Sequence, residues 1–377
     1  MTIAALLLAL LIPAAGGEKL PEADYLKIAQ VLARDGEFER AEAALAKVDP
    51  AAPGLDLVLY HTVAGMVALN RERPEAAAEH FRAALAAGAT EPLLHLYLAQ
   101  ALALLERWHE AALALEQGGE ALAAIASTHL LRAHALWMGG RRAEAFAVLE
   151  TARRRFGDGR PFERRAIFYL IEAGLFAEAA ERGVAFLEAA EPREEDYVAI
   201  GKALTAAGSA ERAVAILERA RLRFPASTAV TQALAQAWLR QGATRAAAEL
   251  TATLAERDPR LLPEAAELMR RSGQRSRALL LNARIEDSAK RLKQRVGLLL
   301  ELRRYDQVAA LEPALERAGL LADEDIRYAL AYAFFQAGDF AAAERHLATI
   351  TRPELFRRAT ELRRIMGECA EARWQCG

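Results

Sequence analysis

The chain has 377 residues, of which 53% are hydrophobic, mostly alanine and leucine, and 7% aromatic. This composition favours closely packed helices over a β protein, and the length exceeds what one compact core needs. The formal net charge of −2 excludes a global positive field that would attract nucleic acid.

The N-terminus, MTIAALLLALLIPAAGG, contains an uncharged apolar run from residue 3 to residue 15. A membrane-spanning helix needs about twenty residues, so this run is too short to cross a bilayer. A short apolar run followed by small residues is typical of a secretory signal peptide, although no Lys or Arg precedes it here. The alternatives are an uncleaved anchor and a buried capping helix. We expect residues 1–17 to be a signal peptide, cut near residues 15–17, and the mature chain to be exported without a membrane span.

Residues 22–352 repeat a pattern of two short helices joined by a tight turn. In the sixth repeat, Tyr197 and Leu204 mark the apolar face of a first helix, Gly208 breaks it, and Ala213 and Leu217 mark a second helix. Such a hairpin cannot bury both faces alone and needs neighbours of its own kind. The second-helix alanine recurs at a step of 34 from the second to the seventh hairpin: Ala77, Ala111, Ala145, Ala179, Ala213 and Ala247.

The spacing of the hairpins changes after the seventh. The equivalent residues are Ala278 and Val308, which give steps of 31 and 30, and we expect shorter linkers there. After the last hairpin, Leu355, Ala359, Leu362 and Ile365 form one apolar stripe. The sequence therefore predicts a solvent-facing cap helix in residues 353–377, which an open stack of hairpins requires at its end.

The repeat resembles the tetratricopeptide repeat (TPR), a 34-residue helix-turn-helix. The sixth hairpin matches the TPR consensus at these positions: Tyr197, Gly201, Leu204, Gly208, Ala213, Leu217, Ala220 and Pro225. The resemblance implies an all-α solenoid of about ten repeats, coiled as a right-handed superhelix, with a C-terminal cap helix. It also implies protein binding, without naming the protein.

The stretch from Ala278 to the end is similar to the C-terminal part of periplasmic TPR proteins encoded beside TonB, ExbB and ExbD. The segments DEDIRYALAYAFFQAGDF and ELFRRATELR, and a terminal C-x6-C with a tryptophan, carry this resemblance. It implies a periplasmic scaffold that binds cell-envelope proteins and serves as an accessory of a TonB-type system. The alternative is a scaffold for envelope polysaccharide export or outer-membrane assembly.

The two cysteines, Cys369 and Cys376, both lie in the last nine residues. In one continuous helix their Cα atoms would lie about 10 Å apart, beyond disulfide reach. We expect Gly367 to end the helix, so that a loop closes a disulfide between the two cysteines in an oxidising compartment.

No motif of a metalloprotease, a phosphate loop or a nucleophile elbow occurs in the sequence. We therefore expect no enzyme, no cofactor and no metal site, and we interpret the histidines as surface or groove residues. An enzyme framed by the repeats is the alternative, which a buried polar pocket with paired carboxylates would indicate.

Arginine clusters at 153–155, 164–165 and 270–277 are expected to be solvated faces balanced by glutamates, although the last group is also a candidate contact for an acidic partner.

Carrying over the TPR register implies a protein-binding inner face on the first helix of each hairpin. The lysine and asparagine set with which some TPR domains grip a terminal carboxylate is absent. Tyr328, Tyr332 and Phe335, the inward aromatic residues of the tenth hairpin, have an alternative role, which is packing against the cap helix. The inward positions are Met66, Tyr97, Gln100, His134, Trp137, Phe168, Lys202, Gln232, Gln236, Arg240, Glu267, Tyr328, Tyr332 and Phe335.

Overall fold

A computed structural model describes residues 24–189 and 191–371 of the chain. Within these residues the secondary structure is helical, with no β-strand. The chain divides into two compact units, unit 1 ending at Ala166 and unit 2 beginning at Ile167. The predicted all-α class is confirmed.

Unit 1 consists of antiparallel helix hairpins. Its helices are α1 (Tyr25–Arg34), α2 (Phe38–Leu45), α3 (Leu57–Asn70), α4 (Pro74–Ala86), α5 (Leu93–Leu104), α6 (Trp108–Gln117), α7 (Gly119–Ala123), α8 (Ala126–Met138), α9 (Arg142–Arg155) and the first half of α10 (Arg160–Glu172).

Unit 2 continues with the same kind of hairpin after α10. Its helices are α11 (Phe176–Ala189), α12 (Glu194–Ala206), α13 (Ala210–Arg223), α14 (Thr228–Arg240), α15 (Thr244–Arg257), α16 (Leu262–Arg271), α17 (Arg275–Ala283), α18 (Ser288–Glu301), α19 (Tyr305–Ala309), α20 (Glu312–Arg317), α21 (Glu324–Gln336), α22 (Phe340–Leu347) and α23 (Pro353–Glu371). Two 3₁₀ turns, Pro259–Leu261 and Leu320–Ala322, precede α16 and α21.

The repeated alanines lie where the helices pack most closely. All six in the strict 34-residue register are at most 1% exposed, as are Ala41, Ala278 and Ala343 of the flanking hairpins. Larger side chains fill the space beside small residues of the first helix. A Cβ atom built on Gly201 would lie 2.7 Å from the Leu217 side chain, and one on Gly65 would lie 2.6 Å from the Phe81 ring. The small residues therefore let the two helices of a hairpin approach each other closely.

The turn of each hairpin uses one backbone motif. The second residue after the first helix takes a left-handed conformation, and the next N–H bonds to the carbonyl five residues back, as Ser209 does to Leu204 at 2.8 Å. Glycine supplies this conformation in seven hairpins, from Gly36 to Gly338. Glu72, Glu106 and Arg303 hold the same position with φ of 56°. The motif therefore forms even where a side chain makes it unfavourable.

Replacing Glu72 by glycine is expected to stabilise unit 1 by about 0.5–1 kcal/mol, because glycine adopts a left-handed conformation without a Cβ penalty. Glu72 is exposed and makes no ion pair within the described residues, so little else is lost. Urea unfolding of the two proteins measures the difference. Gly140→Ala, the reverse change at the equivalent turn, should destabilise by a similar amount. Equal stability of Glu72→Gly and the parent chain would contradict the explanation.

The two short steps shorten different helices. In the step of 31 residues the first helix α16 has 10 residues where α14 has 13, and in the step of 30 residues the second helix α17 is the shortened one. The linker between α17 and α18 is as long as the linker between α13 and α14, whereas α17 has 9 residues and α13 has 14. The expectation of shorter linkers is therefore wrong. Asn282, fully buried near the end of α17, donates hydrogen bonds to the Arg291 carbonyl at 3.0 Å and to Gln294 at 3.2 Å, which ties the end of this helix to α18.

The C-terminal helix α23 packs along one side on the last hairpin. Its buried stripe contains Leu355, Ala359, Leu362, Met366 and Cys369, and Met366 takes the place that the sequence analysis gave to Ile365. The spacing of four and three residues is that of one continuous helix face.

The stripe also explains why Gly367 does not end the helix. α23 continues to Glu371, contrary to the prediction, because burial of Met366 and Cys369 outweighs the low helix propensity of glycine. Cys376 lies outside the described residues, so its pairing with Cys369 stays a prediction.

Candidate protein-binding face

An open cleft of about 790 Å³ lies on unit 2 between α12 and α14. Lys202 and Thr205 line it from α12, and Gln236, Leu239 and Arg240 line it from α14. Gln236 and Arg240 share a helix face because they are four residues apart. The structure therefore brings together three residues that the sequence analysis assigned to the inner face, and adds Thr205 and Leu239 to them.

The cations of this cleft are not neutralised by neighbouring carboxylates of the described residues. Lys202, Gln236 and Arg240 are exposed, and among the described residues neither cation has a carboxylate within ion-pair distance. On neighbouring helices, by contrast, Arg212 pairs with Glu181 at 2.7 Å and Arg223 with Glu191 at 2.8 Å. The cleft therefore presents two positive charges that are available to a ligand.

The arginine clusters are mostly neutralised within the chain. Arg153 pairs with Glu150 at 2.8 Å, and Arg270 with Glu267 at 2.6 Å. Glu267 is thus engaged in an ion pair, although the sequence analysis placed it on the inner face. Arg270 and Arg275 also both contact Glu301. These pairs favour the interpretation as balanced helix faces, and the 270–277 group loses its advantage as a contact for an acidic partner.

The inward residues of unit 1 take part in packing to different degrees. Met66, Tyr97, Gln100 and His134 are half-buried on α3, α5 and α8. Tyr97 stacks on Phe81 with ring centroids 5.8 Å apart.

Trp137 is 8% exposed, and its ring contacts Phe146 and Arg142. Trp137 is therefore mainly a packing residue. The remaining inward residues of α10 and α14 differ from it: Phe168 is half-buried and Gln232 is exposed.

The aromatic residues of α21 pack beside the C-terminal helix. Tyr328, Tyr332 and Phe335 are half-buried against a cluster that includes Leu355 and Ala359 of α23. Burial raises the pKa of the Tyr328 hydroxyl. The contacts favour the alternative role of these aromatics, packing against the cap helix, over a free anchor for a partner.

Comparison with known proteins supports the repeat. A sequence model of the tetratricopeptide repeat matches residues 204–272, which include part of the cleft. No curated protein matches the chain. Together with the helix hairpins, the match makes the described chain an all-α solenoid of the TPR type.

Solved structures with a similar arrangement include pilF of Pseudomonas aeruginosa, which is 15% identical over 55% of this chain and 93% of that chain, with a TM-score of 0.38. PilW, described as a widely conserved type IV pilus biogenesis factor, is 17% identical over 56% of this chain and 96% of its own, with a TM-score of 0.41. A tetratricopeptide repeat protein of Parabacteroides merdae is 15% identical over 74% of this chain and all of its own, with a TM-score of 0.36.

Two further properties concern membrane spans and metal ligands. Among residues 24–189 and 191–371, no helix is long and apolar enough to cross a membrane. The same residues contain no group of three or more His, Cys, Asp and Glu side chains arranged to hold a metal ion.

Proposed function

We propose that the protein is an exported, periplasmic scaffold that binds a partner protein through the first helices of its hairpins. The contact point in unit 2 is the cleft between α12 and α14, and it receives an acidic segment of the partner. The observation that supports this proposal most directly is the pair of cations, Lys202 and Arg240, without carboxylate partners among the described residues in a cleft of about 790 Å³. Opposite charges across an interface give specificity and speed association.

The other groups of the cleft suit a peptide ligand. Gln236 carries an amide that both donates and accepts hydrogen bonds, which suits the amides of a peptide backbone. The Thr205 hydroxyl donates to the Gly201 carbonyl at 2.8 Å and can accept from a peptide N–H. Leu239 adds an apolar wall. A ligand with one or two carboxylates beside a small apolar side chain matches this set. We infer that such a segment belongs to a cell-envelope protein, and the resemblance of the C-terminal quarter makes a component of a TonB-type system the first candidate.

Reversing both charges tests the proposal. We expect Lys202→Glu with Arg240→Glu to weaken binding of a labelled glutamate-rich peptide by about tenfold or more, because attraction becomes repulsion. Fluorescence anisotropy measures the affinity, and salt should weaken the binding of the parent chain.

The matched control is Arg219→Glu with Arg245→Glu, which makes the same change in net charge on the second helices α13 and α15. Both of these arginines are exposed. Equal loss of affinity in both double variants would show a non-specific charge effect and contradict the role of the cleft. If the parent chain did not bind the peptide, this would contradict the proposal that the cleft receives an acidic segment.

A further inference from the structure

Two histidines face each other across the second hairpin of unit 1. His61 lies on α3 and His80 on α4, and their Nδ1 atoms are 3.0 Å apart. The ring centroids are 5.3 Å apart, and the ring of Tyr60 contacts both histidines edge-on. Both histidines are half-buried, so solvent reaches the pair while the helices hold it in place.

The distance between the two nitrogens suits a shared metal ion. Imidazole nitrogens bind Zn²⁺ at about 2.0–2.1 Å, so two nitrogens on one ion lie about 2.9 Å apart at a right angle and about 3.4 Å apart in a tetrahedron. The observed 3.0 Å falls within that range. We propose that His61 and His80 bind a divalent transition-metal ion that prefers imidazole, such as Zn²⁺ or Cu²⁺, through their Nδ1 atoms, with water as the remaining ligands.

The surroundings keep both rings in the form that binds a metal. Burial lowers the pKa of His61, and burial together with the neighbouring His61 lowers the pKa of His80. Glu79 acts on His80 in the opposite direction, and Arg73 in the same direction as burial. Both shifts favour the neutral imidazole, which is the form of histidine that binds a metal. Arg73 itself pairs with Glu42, so its repulsion of a bound cation is reduced.

Metal binding requires a change of tautomer. Without metal, one Nδ1 carries a proton and donates it to the other Nδ1, which accepts it. To bind one ion, both Nδ1 atoms must offer lone pairs, so the proton of the donating ring moves to its Nε2 through solvent. Each ring stays neutral, with its proton on Nε2, and no net proton is released.

This site is independent of the proposed partner cleft, since His61 and His80 belong to unit 1 and the cleft to unit 2. The described residues supply no third ligand. Water would therefore fill the remaining coordination positions of the ion.

Calorimetric titration of the untagged, metal-free protein with Zn²⁺ and with Cu²⁺ tests the inference. The parent chain should bind one ion at this site, and His61→Ala and His80→Ala should each lose that binding. His109→Ala is the matched control, because His109 is exposed in the same unit and should leave the binding unchanged.

A second measurement does not depend on the folding of the variants. The electron paramagnetic resonance spectrum of the parent chain with one equivalent of Cu²⁺ should show two nitrogen ligands. Unchanged binding in His61→Ala and His80→Ala, or a copper spectrum without nitrogen ligands, would overturn the inference. The pair would then be a hydrogen-bonded contact between helices and nothing more.

Discussion

Gly201→Leu is expected to destabilise unit 2 by about 3 kcal/mol, because the new side chain has no space between α12 and α13. The first added carbon alone would lie 2.7 Å from the Leu217 side chain. Leu217 is fully buried and packs in the central cluster of unit 2, so it cannot move aside. Urea unfolding followed by circular dichroism measures the loss.

Gly297→Leu is the matched control for this substitution. Gly297 also lies inside a helix, α18, but it is exposed and a Cβ atom there meets nothing within 4 Å. Leucine favours helix by roughly 0.8–1 kcal/mol over glycine, so this variant should be as stable as the parent chain or more stable. Equal effects of the two substitutions would show that close helix approach does not explain the glycine at position 201.

Phe81→Ala is expected to destabilise unit 1 by about 3–5 kcal/mol, through lost burial and the cavity it leaves. The Phe81 ring is fully buried, covers Gly65 and stacks on Tyr97. Because Gly65 has no side chain, nothing on α3 can fill the space. Urea unfolding of the variant measures the change in free energy.

Phe356→Ala is the control for Phe81→Ala. Phe356 lies on α23 with half of its surface exposed, so its replacement should cost less than about 1 kcal/mol. If Phe81→Ala cost no more than this control, Phe81 could not be the residue that fills the hairpin beside Gly65.

The fold was largely predictable because every hairpin needs a small residue at the same point of close helix packing. Ala77 and Ala213 must both be small for the same reason, so the 34-residue step is visible in the sequence without any structure. The turns were less predictable. A glycine marks seven of them, but packing on both sides holds Glu72, Glu106 and Arg303 in a conformation that their side chains disfavour. The helix through Gly367 was mispredicted for a similar reason, since tertiary burial overrides propensity.

The register predicted which residues line the cleft, but it did not predict which inward residues other helices cover. The register alone brings Lys202 and Gln236 to equivalent positions, 34 residues apart. An inward residue is available to a partner only where neither a second helix nor the C-terminal helix α23 covers it. The TPR register does not describe these contacts. Trp137 is covered by residues of α9, and Tyr332 packs in the cluster that includes α23.

The histidine pair was missed because His61 and His80 are 19 residues apart and meet only when the hairpin closes. A search for metal-ligating residue types at positions that face each other across the two antiparallel helices of each hairpin would have found them.

Site-specific photo-crosslinking in cells of the native host tests the proposed function most directly. A crosslinking residue at Ala206, which lines the cleft, should capture an envelope protein and appear in the periplasmic fraction. The same residue at Leu222, which is 81% exposed on α13, is the control and should not capture it. The adduct at position 206 should disappear when Lys202 and Arg240 are replaced by glutamate. Equal capture at both positions, or an adduct that survives this charge reversal, would contradict a partner seated in the cleft.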